Sequence, residues 1–74
     1  RLVEELARGL VDDPNEVRVE RGERDGVTVI RLHVAPDDVG KVIGRQGRMA
    51  RALRSIVRAA GARADERYLL EIAG

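Results

Sequence analysis

The segment from Gly40 to Arg51, GKVIGRQGRMAR, combines the residue types that bind anions. It holds three glycines, one lysine and three arginines, with no acidic residue among them. Glycine permits tight backbone angles and close approach of another molecule, and a helix that starts beside it adds free N–H groups and a positive dipole end. Arginine supplies a planar charged fork that suits phosphate. The chemistry indicated is the non-covalent binding of a phosphate-containing ligand.

The charge of the chain is divided unevenly around this segment. Seven of the fourteen Lys and Arg residues fall between residues 40 and 64, where there is no Asp or Glu. The rest of the chain carries the other seven bases and all thirteen acids, so its formal charge is −6, although the net charge of the whole is only +1. This polarity predicts an anionic partner for the basic part.

Apolar periodicity predicts the elements that position this segment. We expect helices over 1–11, 36–43 and 48–60 and strands over 16–20, 27–34 and 67–72. The stretch 21–26, which ends in Asp-Gly, is predicted to be a hairpin turn, and Gly61 is predicted to cap the last helix. The order indicates one α+β domain over residues 1–74, with a three-stranded sheet and helices packed on one face.

A helical wheel divides the predicted helix over 48–60 into two faces. The predicted core positions are Met49, Ala52, Leu53, Ile56 and Ala60. The other face, called the arginine ridge below, consists of Arg48, Arg51, Arg54 and Arg58. Like charges three or four positions apart repel by about 0.2–0.5 kcal/mol per pair. A solvated surface is the simpler explanation of such a face, but the unrelieved repulsion favours a face that binds an anion.

Two glycines interrupt the helices immediately before the ridge. Gly44 and Gly47 enclose Arg45 and Gln46 at the junction, where the next helix directs its free N–H groups towards the loop. A phosphodiester backbone fits this arrangement, with loop amides and arginines around its phosphates. The alternative is an ordinary helix–loop–helix turn, in which glycine is common.

The five residues from Ile43 to Gly47, IGRQG, resemble the I-G-x-x-G signature of KH domains, which bind single-stranded nucleic acid. The wider stretch from Val34 to Arg54 is similar to the KhpA family of small bacterial single-KH proteins, and the resemblance covers essentially the whole chain. The predicted element order is similar to the type II KH arrangement, αββααβ. Ala50 departs from the general pattern, because many KH domains carry a larger aliphatic residue there, and this puts the packing at the start of the long helix in question.

The resemblance implies a non-catalytic RNA-binding protein. In KH domains the glycine loop clamps the backbone of about four nucleotides while the bases lie in an apolar groove. One wall of that groove would be the helix before the loop, and the other the strand through Ile30 and Leu32, which would offer its main chain to base edges. The residues expected to contact single-stranded RNA, or single-stranded DNA in its place, are Gly40, Lys41, Val42, Ile43, Gly44, Arg45, Gln46, Gly47, Arg48, Arg51, Arg54, Ile30 and Leu32.

The resemblance also implies protein partners. Members of this family are expected to self-associate, to pair with a larger KH-containing protein of the Jag type, and to influence cell elongation and division. The corresponding functions are an RNA chaperone or a post-transcriptional regulator. The alternative is an assembly module, in which pairing is the main task and RNA binding is secondary.

Other chemistry has little support in the sequence. His33 has no neighbours at metal-ligand spacing, Ser55 has no evident base, and no cysteine is present. Tyr68 is the only aromatic residue, which argues against modules that stack bases on aromatic platforms. No apolar run is long enough to span a bilayer. We therefore expect a cytoplasmic protein with no metal, no cofactor and no membrane contact.

Overall fold

The computed structural model describes residues 2–74, which form one sheet covered by a layer of helices. The helices are α1 (Leu2–Leu10), α2 (Val39–Ile43) and α3 (Arg48–Arg63), and the strands are β1 (Arg18–Arg24), β2 (Val27–His33) and β3 (Tyr68–Ala73). Short 3₁₀ turns precede β1, α2 and α3, at Pro14–Glu16, Pro36–Asp38 and Arg45–Gly47. The predicted order of elements is confirmed, and the predicted helix start at Arg1 lies outside the described residues.

The sheet has β2 in its centre. β2 runs antiparallel to β1 and parallel to β3, so the connection from β2 to β3 crosses one face of the sheet through α2 and α3. The hairpin between β1 and β2 turns on Asp25 and Gly26 alone, with φ angles of 54° and 80°, as two-residue hairpin turns require. The predicted turn was therefore too long. β1 continues through charged residues to Arg24 because it is an exposed edge strand.

The core lies between the helices and one face of the sheet. Leu32 of β2, Leu53 of α3 and Val42 of α2 are its largest fully buried side chains. The opposite sheet face carries ion pairs instead, with Arg24 and Arg31 at 3.1 and 3.0 Å from the carboxylate of Glu71. This division confirms the predicted packing of the helices on one face.

The buried face of α3 differs from the predicted one. The buried residues of this helix are Ala50, Leu53, Val57 and Gly61, whereas Met49 and Ile56 are half-buried and Ala52 and Ala60 are exposed. At 100° per residue, the centre of the observed buried face lies about 90° around the helix axis from the centre of the predicted face. The wheel gave weight to the larger Met49 and Ile56, but the buried face also includes the small Ala50 and Gly61, which let α3 lie close to the rest of the protein. Ala50, the departure from the KH pattern, is one of them and is only 3% exposed.

Gly61 is also placed differently from its prediction. α3 does not end there but continues to Arg63. A Cβ atom on Gly61 would lie 2.9 Å from the carbonyl oxygen of Glu66 and 3.0 Å from the Tyr68 ring. The glycine therefore permits the close contact between α3 and the start of β3.

Candidate nucleic-acid interface

The loop between α2 and α3 is built from backbone conformations that favour glycine. Gly44, Gln46 and Gly47 have positive φ angles of 78°, 55° and 74°. The N–H of Gly44 donates to the carbonyl of Gly40 at 2.9 Å and ends α2, and the N–H of Gly47 donates to the carbonyl of Gly44 at 3.2 Å. The residue pattern that predicted a tight junction between two helices is thus explained by the geometry.

The two glycines of the loop are required to different degrees. Gly44 combines φ of 78° with ψ of 175°, a region that essentially only glycine occupies. A Cβ atom there would lie 2.7 Å from Cβ of Met49 and 3.0 Å from its backbone nitrogen. Gly47 has a left-handed conformation with φ of 74° and ψ of 13°, but no atom lies within 4 Å of the Cβ it lacks. Gly44 is therefore fixed by both angle and space, and Gly47 by angle alone.

The helix start beside the loop is not capped by the protein's own side chains. Neither Gly44, which precedes the 3₁₀ turn, nor Gly47, which precedes α3, makes a side-chain cap hydrogen bond. The side chains of Arg45 and Gln46 are exposed. The N–H groups of Gly47 and Arg48 donate to the carbonyls of Gly44 and Arg45, so it is the positive dipole end of α3, uncovered by any side chain of the two glycines, that faces an anion at the loop.

The arginine ridge starts at this loop and stays unpaired. All of its members are exposed, as is Arg45 before them. Within residues 2–74, none of these five guanidinium groups lies within ion-pair distance of a carboxylate. Other cations do have carboxylate partners, namely Arg8, Arg21, Arg24, Arg31 and Lys41. Among residues 2–74, the unpaired positive charge is thus concentrated along α3 and its loop, although Arg18 and Arg67 elsewhere are unpaired as well.

Lys41 differs from the ridge because two carboxylates hold it. Its ammonium group bonds to Asp12 and lies 3.6 Å from Oδ1 of Asp38. The hydrogen bond to Asp12 raises the pKa of Lys41 above its ordinary value despite partial burial, and the charges of both carboxylates act in the same direction. Lys41 therefore contributes less free charge to the loop than its position in the sequence indicates.

Asp38 is the residue that organises this corner, and the sequence analysis missed it. Its side chain is buried, with 2% of the residue exposed, and it accepts the backbone N–H groups of Asp12 and Asp13 at 3.2 and 3.1 Å. Burial alone would raise the pKa of Asp38, but these two N–H groups and Lys41 outweigh it and hold the pKa below its ordinary value. The carboxylate thus ties the start of α2 to the end of α1. The one sequence signal was the spacing of Asp38 and Lys41, three positions apart.

The wall formed by α2 is only partly accessible. Val42 is completely buried, whereas Gly40 is exposed and Ile43 is 38% exposed. Of the predicted wall residues, Gly40 and Ile43 can touch a ligand, and Val42 supports them from the core.

The main-chain role predicted for the strand through Ile30 and Leu32 is wrong. Leu32 is completely buried, and β2 is paired along its length with β1 on one side and β3 on the other. Ile30 lies beside Ile56 and Ala60, about 12 Å along α3 from the loop. The strand with a free edge is β3, which follows β2 in the sheet order and ends against α2, where Gly74 lies against Val39.

Two further depressions lie away from the loop. An apolar groove of about 380 Å³ between α1 and α3 is lined by Leu2, Ile56 and Ala60, with Ile30 and Tyr68 at its base. Leu2 is 58% exposed. A larger, shallow and polar cleft of about 1060 Å³ lies at the far end of α3, beside the β1–β2 hairpin, and acids and bases line it together.

The described residues offer neither a membrane-spanning helix nor a metal-binding cluster. No helix within residues 2–74 has the length and hydropathy to cross a membrane. The same residues contain no cluster of three or more His, Cys, Asp or Glu side chains that could hold a metal ion.

Comparison with known proteins agrees with this arrangement. The family model described as "KhpA/KhpB, KH domain" matches residues 1–72. The chain belongs to this family. A protein named "RNA-binding protein KhpA" from Halalkalibacterium halodurans is 51% identical over 71 residues, which cover 96% of this chain and 93% of that protein. Proteins of the same name from Aquifex aeolicus and Treponema pallidum are 49% and 48% identical over 71 residues, again 96% of this chain and 90% and 89% of theirs.

Membership in the KhpA/KhpB family bears on two earlier predictions. The α+β arrangement of three helices and a three-stranded sheet is that of a KH-type fold, so the predicted fold class is confirmed. The family is not catalytic, so the prediction that the chain is not an enzyme is confirmed as well.

Proposed function

We propose that this protein binds single-stranded RNA, seating its sugar-phosphate backbone on the glycine loop and the adjacent arginine ridge. The observation that carries the proposal is the continuous row of unpaired arginines that begins at a helix start with no side-chain cap. The relatives named as RNA-binding proteins support the same ligand. Single-stranded DNA offers the same phosphates and is the natural competitor in binding assays.

In this proposal the residues around the loop have different roles in RNA binding. Gly44 to Gly47 form the clamp, with Arg45 and Arg48 neutralising phosphates. Bases lie against the exposed parts of α2, Gly40 and Ile43, and meet the free main-chain edge of β3 rather than that of β2. A strand that is hydrogen-bonded on both sides has no free main-chain groups, whereas an edge strand has one row of unpaired N–H and C=O groups.

A double substitution at the tip of the loop tests the clamp. Arg45→Asp with Gln46→Asp should abolish RNA binding and leave the melting temperature nearly unchanged. Both side chains are exposed, and aspartate tolerates the left-handed conformation of residue 46 better than most residues. A matched control, Arg67→Asp with Ala64→Asp, makes the same change in net charge at the opposite end of α3. Wild-type affinity in the loop variant, or an equal loss in the control, would show that the clamp is misassigned.

A second candidate function is self-association through the apolar groove between α1 and α3. The observation that favours it is the exposure of Leu2 beside the half-buried Ile56, with small exposed residues on the adjoining face of α3. A chain of 74 residues buries a modest core and gains stability by covering such a groove. The occupant we propose is a second copy of this chain, and a larger Jag-type KH partner, implied by the family resemblance, would compete for the same place.

Sedimentation velocity separates this candidate from the first. The wild-type protein should sediment as a dimer and Ile56→Asp as a monomer, while both bind RNA through the loop. A wild-type monomer over the whole concentration range contradicts the proposal. A dimer that ignores RNA would favour the assembly function over RNA binding.

The cellular role we propose is that of a cytoplasmic RNA chaperone or post-transcriptional regulator linked to cell elongation and division. Its support is the family resemblance. Crosslinking in cells, followed by sequencing of the bound RNA, tests it directly. RNA enrichment that the Arg45→Asp, Gln46→Asp variant loses is the expected result, and identical profiles for both proteins would count against it.

A further inference from the structure

The arginine ridge is longer than the glycine loop requires. A KH clamp holds about four nucleotides, and Arg45 and Arg48 lie directly at it. Arg51, Arg54 and Arg58 continue along the same side of α3. At 1.5 Å per residue, Arg58 lies about 15 Å along the helix axis from Arg48.

The part of the ridge beyond Arg48, called the outer ridge below, consists of Arg51, Arg54 and Arg58 and has no carboxylate partner within the described chain. Arg54 and Arg58 are exposed and form no ion pair within residues 2–74. Arg51, Arg54 and Arg58 therefore repel one another without compensation. On the sheet, by contrast, Arg24 and Arg31 share Glu71. A surface that needed only solubility could have used the same pairing.

The length of the ridge matches a continuing strand. Successive phosphates of a stacked strand rise by about 3.4 Å, and those of an extended strand lie further apart. A span of 15 Å therefore accommodates about two to four phosphates beyond the clamp. The ridge starts at Arg48, the first residue after the loop, so a strand can pass from one surface to the other without a gap.

We propose that an RNA strand held by the glycine loop continues along the ridge, so that the footprint is about six to eight nucleotides rather than four. Arg54 and Arg58 contact phosphates outside the clamp, and they add affinity without reading bases. This inference rests on the proposed RNA binding and names the length of strand that the site takes.

The experiment compares two lengths of RNA on two variants. Fluorescence anisotropy measures the binding of a labelled tetranucleotide and a labelled octanucleotide to the wild type and to Arg54→Gln with Arg58→Gln. The matched control is Arg63→Gln with Arg67→Gln. Arg63 is exposed and on the same helix, but it points about 140° away from Arg58. Each comparison between proteins is made at one length of RNA.

The expected result is a loss confined to the longer strand. Each phosphate neutralised on a single strand contributes a salt slope of about 0.7, so two lost contacts should weaken octanucleotide binding about 25-fold at 0.1 M salt relative to 1 M. The slope itself should fall by about 1.4, while tetranucleotide binding changes little. The control should bind both lengths as the wild type does.

Two results would overturn the inference in distinguishable ways. If the ridge variant binds the octanucleotide like the wild type, or loses both lengths equally, the strand does not run along the outer ridge, although the clamp stands. If the wild type binds neither length, the clamp fails and the inference fails with it.

Discussion

Gly44→Ala should destabilise the protein far more than Gly47→Ala, although both replace a glycine of the same loop. At Gly44 the angles alone cost about 1–3 kcal/mol. The new Cβ would also lie 2.7 Å from Cβ and 3.0 Å from the backbone nitrogen of Met49, and such overpacking adds about 1–3 kcal/mol. At Gly47 only the left-handed conformation opposes alanine, which costs about 1–2 kcal/mol.

Both substitutions also lower the conformational entropy of the unfolded chain, which stabilises the folded protein by about 0.4–1 kcal/mol in each case. The net loss is therefore about 3 kcal/mol for Gly44→Ala and about 1 kcal/mol for Gly47→Ala. For a domain of this size, 1 kcal/mol shifts the melting temperature by about 4–8 °C. The expected decreases are about 15–20 °C and about 5 °C.

Thermal unfolding followed by circular dichroism measures both shifts, and urea titration checks that the transition stays two-state. Gly9→Ala is the control, because Gly9 lies within α1 and no atom is within 4 Å of its missing Cβ. It should raise stability by up to about 1 kcal/mol through helix propensity. Equal losses at Gly44 and Gly47, or a larger loss at Gly47, would refute the reasoning about the loop.

Four further substitutions test other parts of the structure. Asp38→Asn should lower the free energy of unfolding at neutral pH, and the difference from wild type should shrink as the pH falls through the lowered pKa of Asp38. A carboxyl group whose pKa is lower in the folded than in the unfolded protein stabilises the fold while it is ionised, and this contribution is lost as the group is protonated. Urea unfolding at a series of pH values measures the difference. Lys41→Ala should lower the melting temperature and change the salt slope of RNA binding little. Arg45→Ala should reduce that slope by about 0.7 and leave the melting temperature unchanged. Identical effects of the two would contradict their different roles. Gly61→Ala gains up to about 1 kcal/mol of helix propensity but should still destabilise, because overpacking against Tyr68 costs about 1–3 kcal/mol; a urea midpoint at or above that of wild type would count against the tight contact.

The ridge could be predicted from the sequence because it depends on spacing alone. Residues three and four positions apart share a helix face whatever the helix packs against. The buried face of α3 could not be predicted in the same way. Alanine fits both an interior and a surface, so a wheel cannot decide whether Ala50 or Ala52 faces the core, and only the distance between helix and sheet settles it.

The central position of β2 could be predicted from the sequence by a rule of sheet topology. A strand that follows a helical crossover usually lies next to the strand before it, and here the hairpin partner already occupies one side of that strand. That places β2 in the centre and leaves β3 at an edge. Placing a groove wall on Leu32 overlooked that a central strand has no unpaired main chain.

The pairing of Lys41 depends on a tertiary contact. Asp12 and Lys41 are 29 positions apart, and nothing local indicates that the end of α1 meets α2. A basic residue next to a glycine loop therefore resembles a ligand contact in the sequence, although in the fold it is engaged with carboxylates.

The two-residue turn at Asp25 and Gly26 is a suitable place to attach a fluorescent label. It lies beside the end of α3, near Ala62, and that helix places the glycine loop roughly 22 Å away. The chain contains no cysteine, so Glu23→Cys, at an exposed position close to the turn, would give a unique thiol for a dye. Such a reporter would follow association with a labelled tetranucleotide, which the clamp alone holds, by energy transfer at a distance where the dye does not touch the strand.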